Sequence, residues 1–267
     1  MLGKLLKHEF RATSRIMLPL YLVLMIMAVF GNVAVRIMDH SNNDFLNLLA
    51  GLTMTAFVFL MVAVALMSVY LMVSRFHKNL LTDEGYLMFT LPTSVHSLIF
   101  SKIIVSTVWF IGTMVMAGVA MVILFFELQN IPYFFSGIKE IFDRMTTYYA
   151  LNGAAMCLEL LVLMVLACAA FCLLVYAAAA VGHSFANHKI ALSFAFFILF
   201  NWATQFVGLG TILLTDGWNL TFAFMDNWSP MAMTHFLFAL GIVAELVFCA
   251  IFYIITAITL QKRINLE

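Results

Sequence analysis

Charge is what this chain has least of. Only 10% of its 267 residues are Asp, Glu, Lys or Arg, against about 25% in an ordinary soluble domain. So few charges cannot solvate the surface of a 30 kDa globule, and most soluble-enzyme readings fall away with them. Proline is nearly as scarce, at four residues, which leaves long stretches with nothing to interrupt a helix. The four cysteines, Cys157, Cys168, Cys172 and Cys249, all fall in apolar runs without metal-ligand spacing. They read as small packing residues, and neither a disulfide framework nor a metal site is expected. No GxxxxGK[ST] phosphate-binding loop occurs, so this chain carries no ATP-hydrolysing motif and is not expected to be an enzyme. Period-two alternation is also missing, which argues against barrel strands. No repeat suggests inverted halves, and with zero net charge no nucleic-acid partner is expected.

What the chain has in quantity is apolar sequence, 65% by composition with a mean hydropathy of +1.07. It is gathered into six runs: Ile16–Val35, Leu49–Val73, Ile103–Phe126, Ala150–Ala180, Ile190–Leu213 and Phe236–Leu260. A bilayer core of roughly 30 Å needs about 20 helical residues per crossing. The reading is therefore an all-α membrane protein with six spans, a single transmembrane domain over residues 1–267. The fourth run exceeds one crossing and is expected to tilt or project. The first is too long for a signal peptide, contains Pro19, and has no small-residue cleavage site before Arg36.

Basic residues set the orientation. Lys4, Lys7, Arg11, Arg15, Arg75, Lys78, Lys102, Lys189, Lys262 and Arg263 fall on one side, while Arg36, Lys139 and Arg144 fall on the other. The Lys/Arg-rich side is cytoplasmic, which places both termini inside. Residues 1–15 read as an amphipathic helix, with Leu2, Leu5, Leu6 and Phe10 opposite Lys4, Lys7, His8, Arg11 and Arg15. Glu9 sits in the apolar sector, where lipid would not accept it. Either the helix rests on anionic headgroups, or it is wedged against a protein and Glu9 finds a basic group. Between spans two and three, Thr82 can cap a short helix with Asp83 and Glu84 in its first turn. Leu91-Pro92 ends it, and Thr93 or Ser94 can cap the helix entering span three. The short helix carries Tyr86, Leu87, Met88 and Phe89, an apolar face that needs cover.

Those residues carry a resemblance. The run Leu81-Thr82-Asp83-Glu84-Gly85-Tyr86-Leu87-Met88-Phe89-Thr90-Leu91-Pro92-Thr93-Ser94, followed by Ser101-Lys102, resembles the loop after the second span in bacterial ABC-2 type permeases. These are the membrane subunits of ABC exporters, some conferring resistance to bacitracin and lantibiotic-like peptides. Lys7-His8-Glu9-Phe10 is similar to the start of such permeases. The resemblance implies an ABC-2 (type V exporter-like) fold, with residues 1–15 as connecting helix and residues 82–92 as coupling helix. It implies docking on an ABC ATP-binding subunit through Glu9, Asp83, Glu84, Tyr86 and Phe89. It further implies a second permease subunit, identical or not, and ATP and Mg held by the partner, with no cofactor on this chain. Spans two and five would line the path. The place implied is the bacterial cell membrane and the cargo an amphipathic peptide, drug or lipid.

Polar groups inside the spans are the remaining signal, because each is costly unless it faces protein or water. Glu159 and Glu245 lie within spans four and six and would attract a cation, relay protons or serve as structural carboxyls. Asn201 and Gln205 lie i, i+4 on span five with Gly208 on the same side, facing either another helix or the path. Thr53 and Phe57 are the corresponding path residues on span two. His183 and His188, at i, i+5 around a short loop, read as solvated residues rather than metal ligands. A proton- or ion-coupled carrier using Glu159 and Glu245 is the alternative function. An intramembrane enzyme ranks below both, because no dense Glu, His or Asp cluster is evident.

Overall fold

A computed structural model describes residues 2–40, 43–81, 94–125, 131–147, 153–185, 187–218 and 228–262. Among these residues there are seven helices and no strand: α1 (Leu2–His40), α2 (Asp44–Leu80), α3 (Val95–Leu124), α4 (Ile131–Thr147), α5 (Gly153–His183), α6 (Lys189–Trp218) and α7 (Pro230–Lys262). Six of them, all but α4, contain a stretch long and apolar enough to cross a membrane. The chain is thus an all-α protein with six membrane-spanning candidates. Helix starts follow local chemistry. Asn43 accepts the Phe45 amide (3.0 Å), Ser94 accepts the Ser97 amide (3.3 Å), and Ser229 accepts the Ala232 amide (3.3 Å) one residue before Pro230. The chain divides into two compact units, residues 1–75 with 100–136 and residues 76–99 with 137–267.

The first unit is organised by a periodic seam. On α2, Ala50, Phe57, Val64 and Leu71 are buried at every seventh position, with Met54, Met61 and Ser68 filling the alternate steps. On α1, Met17, Tyr21, Leu24, Ala28 and Gly31 are buried at alternating steps of four and three. This is the a/d pattern of helices that wrap each other left-handedly. Ala120 and Leu124 of α3 complete the core. A Cβ on Gly31 would stand 2.5 Å from Leu124 Cδ1, so the missing side chain lets α1 and α3 approach there.

A polar thread runs beside that core, one hydroxyl from each helix. Thr113 Oγ1 lies 2.7 Å from Tyr21 Oη and 2.7 Å from Ser68 Oγ, tying α3 to α1 and α2. Trp109 Nε1 donates to Thr13 Oγ1 at 2.7 Å, and the Asn32 amide donates to the Leu124 carbonyl at 3.0 Å. Each such group would be costly in an apolar interior without its partner.

Residues 1–15, read from sequence as an amphipathic helix, run straight into the first span. Those residues are the first turns of α1, which continues through Pro19 to His40. Buried Glu9 and Thr13 extend the inward face of the span, so packing rather than a membrane surface sets their direction. Glu9 does find a basic group, within its own unit: Lys102 Nζ donates to Glu9 Oε1, and both side chains are buried. With Arg75, Thr13, Ser68, Ser106 and Trp109 they line a cavity of about 20 Å³, room for one water.

In the second unit α5 packs on α7 and α6. Its C-terminal half is buried almost throughout, through the small run Ala177–Ala180, and Tyr176 stacks on Phe76 at 4.1 Å between centroids. A Cβ on Gly182 would run into the backbone of Ser193, so glycine is what allows α6 to pass the end of α5. His188, at φ 59°, takes the left-handed conformation that turns the chain into α6. His96 Nδ1 lies 2.5 Å from Tyr253 Oη, holding the start of α3 to α7.

Helix α4 was not anticipated from the hydropathy of residues 127–149. Its apolar residues Ile131, Phe134, Phe135, Ile138, Ile141, Phe142 and Met145 recur at steps of three and four, while Glu140 and Arg144 pair on the polar face at 2.6 Å. Phe135, Ile138, Ile141 and Phe142 are exposed.

Candidate functional site

Four of the residues singled out from sequence converge. A cavity of about 420 Å³ lies among α5, α6 and α7 of the second unit. Asn201, Gln205 and Gly208 reach it from α6, Glu245 from α7, and Phe171, Phe248 and Phe252 supply aromatic walls. Ala167, Ala170 and Leu174 close the α5 side. The i, i+4 spacing of Asn201 and Gln205 places both amides on one face. Gly208, one turn below, keeps that face open.

The chemistry of the wall is uneven. Thr204 gives its hydroxyl hydrogen to the Asn201 carbonyl at 2.8 Å, leaving mainly its methyl for the cavity. Asn201 and Gln205 each present an amide that can both donate and accept. Glu245 is half-buried, and among the described residues its carboxyl makes no hydrogen bond or ion pair. One turn on, Cys249 donates to the Leu166 carbonyl at 3.8 Å. Among the described residues, those lining the cavity include no Lys, Arg or His. A carboxyl, two amides and three phenyl rings around one void can hold a molecule with an apolar body and a polar end.

The other predicted positions lie elsewhere. Glu159 does not reach the cavity; both its oxygens are within hydrogen-bond range of His235 Nδ1, at 2.8 and 2.9 Å, joining α5 to α7. Thr53 and Phe57 belong to the first unit. Thr53 donates its hydroxyl to the Leu49 carbonyl at 2.9 Å, and Phe57 is a fully buried member of the core. Glu9 is occupied by Lys102. Asp83, Glu84, Tyr86 and Phe89, with the whole 82–92 coupling segment, lie outside the described residues.

One histidine corrects the sequence reading. His183 is not a solvated loop residue; it ends α5 and is 6% exposed. Its Nε2 lies 3.0 Å from His77 Nε2, and its Nδ1 is 2.9 Å from the Ala179 carbonyl. If Nδ1 donates to that carbonyl, His77 supplies the shared proton. His188 is exposed, as expected. No group of three or more His, Cys, Asp or Glu able to hold a metal occurs among the described residues.

The sequence signal that would have found the Glu9 partner was available in principle. Lys102 is a lone cation at the start of an apolar run, as Glu9 is a lone anion in an apolar sector. Likewise Glu245 could be matched to Asn201 and Gln205 only by knowing that α6 and α7 share α5 as a neighbour. Comparison of the chain with family models, with curated proteins and with solved structures gave no match.

Proposed function

We propose that this chain is the membrane-spanning permease subunit of an ATP-driven exporter, moving an amphipathic substrate out of a bacterial cell. The observation that carries the reading is the polar-ended, aromatic-walled cavity of about 420 Å³ formed by helices that are otherwise apolar enough to span a bilayer. Asn201, Gln205 and Glu245 would meet the polar end of the substrate there, and the phenyl rings its apolar body. The Leu81–Ser94 sequence supports a dock for an ABC ATP-binding subunit, which would bring ATP and Mg. A second permease copy or homologue would complete the assembly, with both termini cytoplasmic by the Lys/Arg asymmetry. In this reading nucleotide-driven closure of the ATPase pair shifts the membrane helices between two states, and substrate biases that equilibrium only through its differential affinity. The apolar stripe of α4 would lie along the outer headgroup region.

Co-purification tests this directly. The tagged chain is expected to bring down an ATP-binding subunit whose hydrolysis rises when the two are reconstituted together. Absence of any such partner would sink the proposal. A proton- or ion-coupled carrier is the second reading, favoured by the Glu159–His235 pair at 2.8 Å, two ionisable side chains in contact between apolar helices. It predicts transport by the chain alone that collapses with the proton gradient.

A further inference from the structure

The cavity among α5, α6 and α7 is asymmetric in charge, and that asymmetry names its ligand class. Among the described residues, Glu245 is the sole ionisable side chain in the wall, and no cation lines it. A carboxylate in surroundings this apolar gains most from a counter-charge that arrives with the ligand. Asn201 and Gln205 do not discriminate, because an amide serves anions and cations equally. The rings of Phe171, Phe248 and Phe252 line the same wall, and a ring that turns its face to the ligand adds to the preference for a cation. The volume falls in the range of small-ligand sites, and the apolar remainder of the wall favours a hydrophobic body over a hydrated ion.

We propose that this cavity is a binding site for lipophilic organic cations, with Glu245 as the residue that sets the charge preference. This deepens the exporter reading by naming its substrate class, yet the binding step belongs to the chain itself and needs no ATPase. Glu245 would approach the cationic centre, the phenyl rings would pack its substituents, and Asn201 and Gln205 would satisfy any hydrogen-bonding group beside it.

The test uses the full chain in phosphatidylcholine nanodiscs, with empty discs as the partition blank. Tetraphenylphosphonium is the probe, and tetraphenylborate, nearly the same shape with opposite charge, is its control. Saturable uptake of the cation above the blank is expected, with the anion bound at least about tenfold more weakly. Glu245→Gln should lower cation affinity about tenfold or more while leaving the anion no weaker. Glu140→Gln, on the exposed face of α4, should change neither. Equal binding of the two probes to the unmodified chain would overturn the proposal without any variant having to fold. So would full cation affinity in a well-folded Glu245→Gln. Cation binding by a chain that recruits no ATPase would refute the exporter reading alone. A recruited ATPase with no preference between the probes would refute this inference alone.

Discussion

Replacing one member of the Glu9–Lys102 pair is expected to cost far more than replacing both. The two side chains are 11% and 3% exposed, one on α1 and the other on α3, and they share a cavity with Arg75. Removing one partner of a buried pair leaves a charge without compensation, typically costing about 3–5 kcal/mol. The cavity makes the two single substitutions unequal. Glu9→Met leaves Lys102 and Arg75, two cations lining one void of about 20 Å³, without the carboxylate that lines it with them. Lys102→Met leaves Glu9 with Arg75 still at the cavity wall. The first should thus fall toward the upper end of that range and the second toward the lower. The double variant Glu9→Met, Lys102→Met replaces the pair with apolar groups and should return to within about 1 kcal/mol of the parent. The measurement is a double-mutant cycle of reversible unfolding in mixed micelles, followed by tryptophan fluorescence. A double loss equal to the sum of the two single losses would mean that the charges do not depend on each other, and the argument fails.

Two further outcomes follow from the geometry. Gly182→Ala should destabilise by about 1–3 kcal/mol, because the new methyl meets the Ser193 backbone, whereas Gly31→Ala should cost less, because Leu124 Cδ1 can rotate away; thermal midpoints of the two variants in the same detergent decide the order. For α4, a tryptophan at Ile141 should be quenched by brominated lipid and one at Glu140 should not, and equal quenching would exclude a helix lying along the membrane surface.

How much of this was legible in sequence depends on the kind of signal. The number of spanning helices follows from hydropathy, since only an uninterrupted apolar run survives in lipid. Their lengths did not follow. Hydropathy marks the apolar middle, Ile16–Val35, while the hydrogen-bonded helix continues through Arg11 and Arg36 to Leu2 and His40. Helix α4 was missed for the opposite reason: its mean apolarity is diluted by Lys139, Glu140, Asp143 and Arg144, although the three-four spacing of its apolar residues and Pro132 near its start were there to read. At the candidate site, the shared face of Asn201 and Gln205 is a local matter of helical spacing and was visible. Their meeting with Glu245, some forty positions later, depends on which helices pack together. That the Glu9 partner would be Lys102 depended on the same thing, across 93 positions. The place of Phe57 in a core was masked because phenylalanine suits lipid, protein and pathway equally.

Helix α1, finally, is long for its task. Its 39 residues reach about 58 Å, nearly twice the thickness of a hydrocarbon layer. A helix of that length must extend well beyond the hydrocarbon layer where it crosses one. Pro19, which cannot donate to the carbonyl of Arg15, is the single built-in place where such a rod would bend.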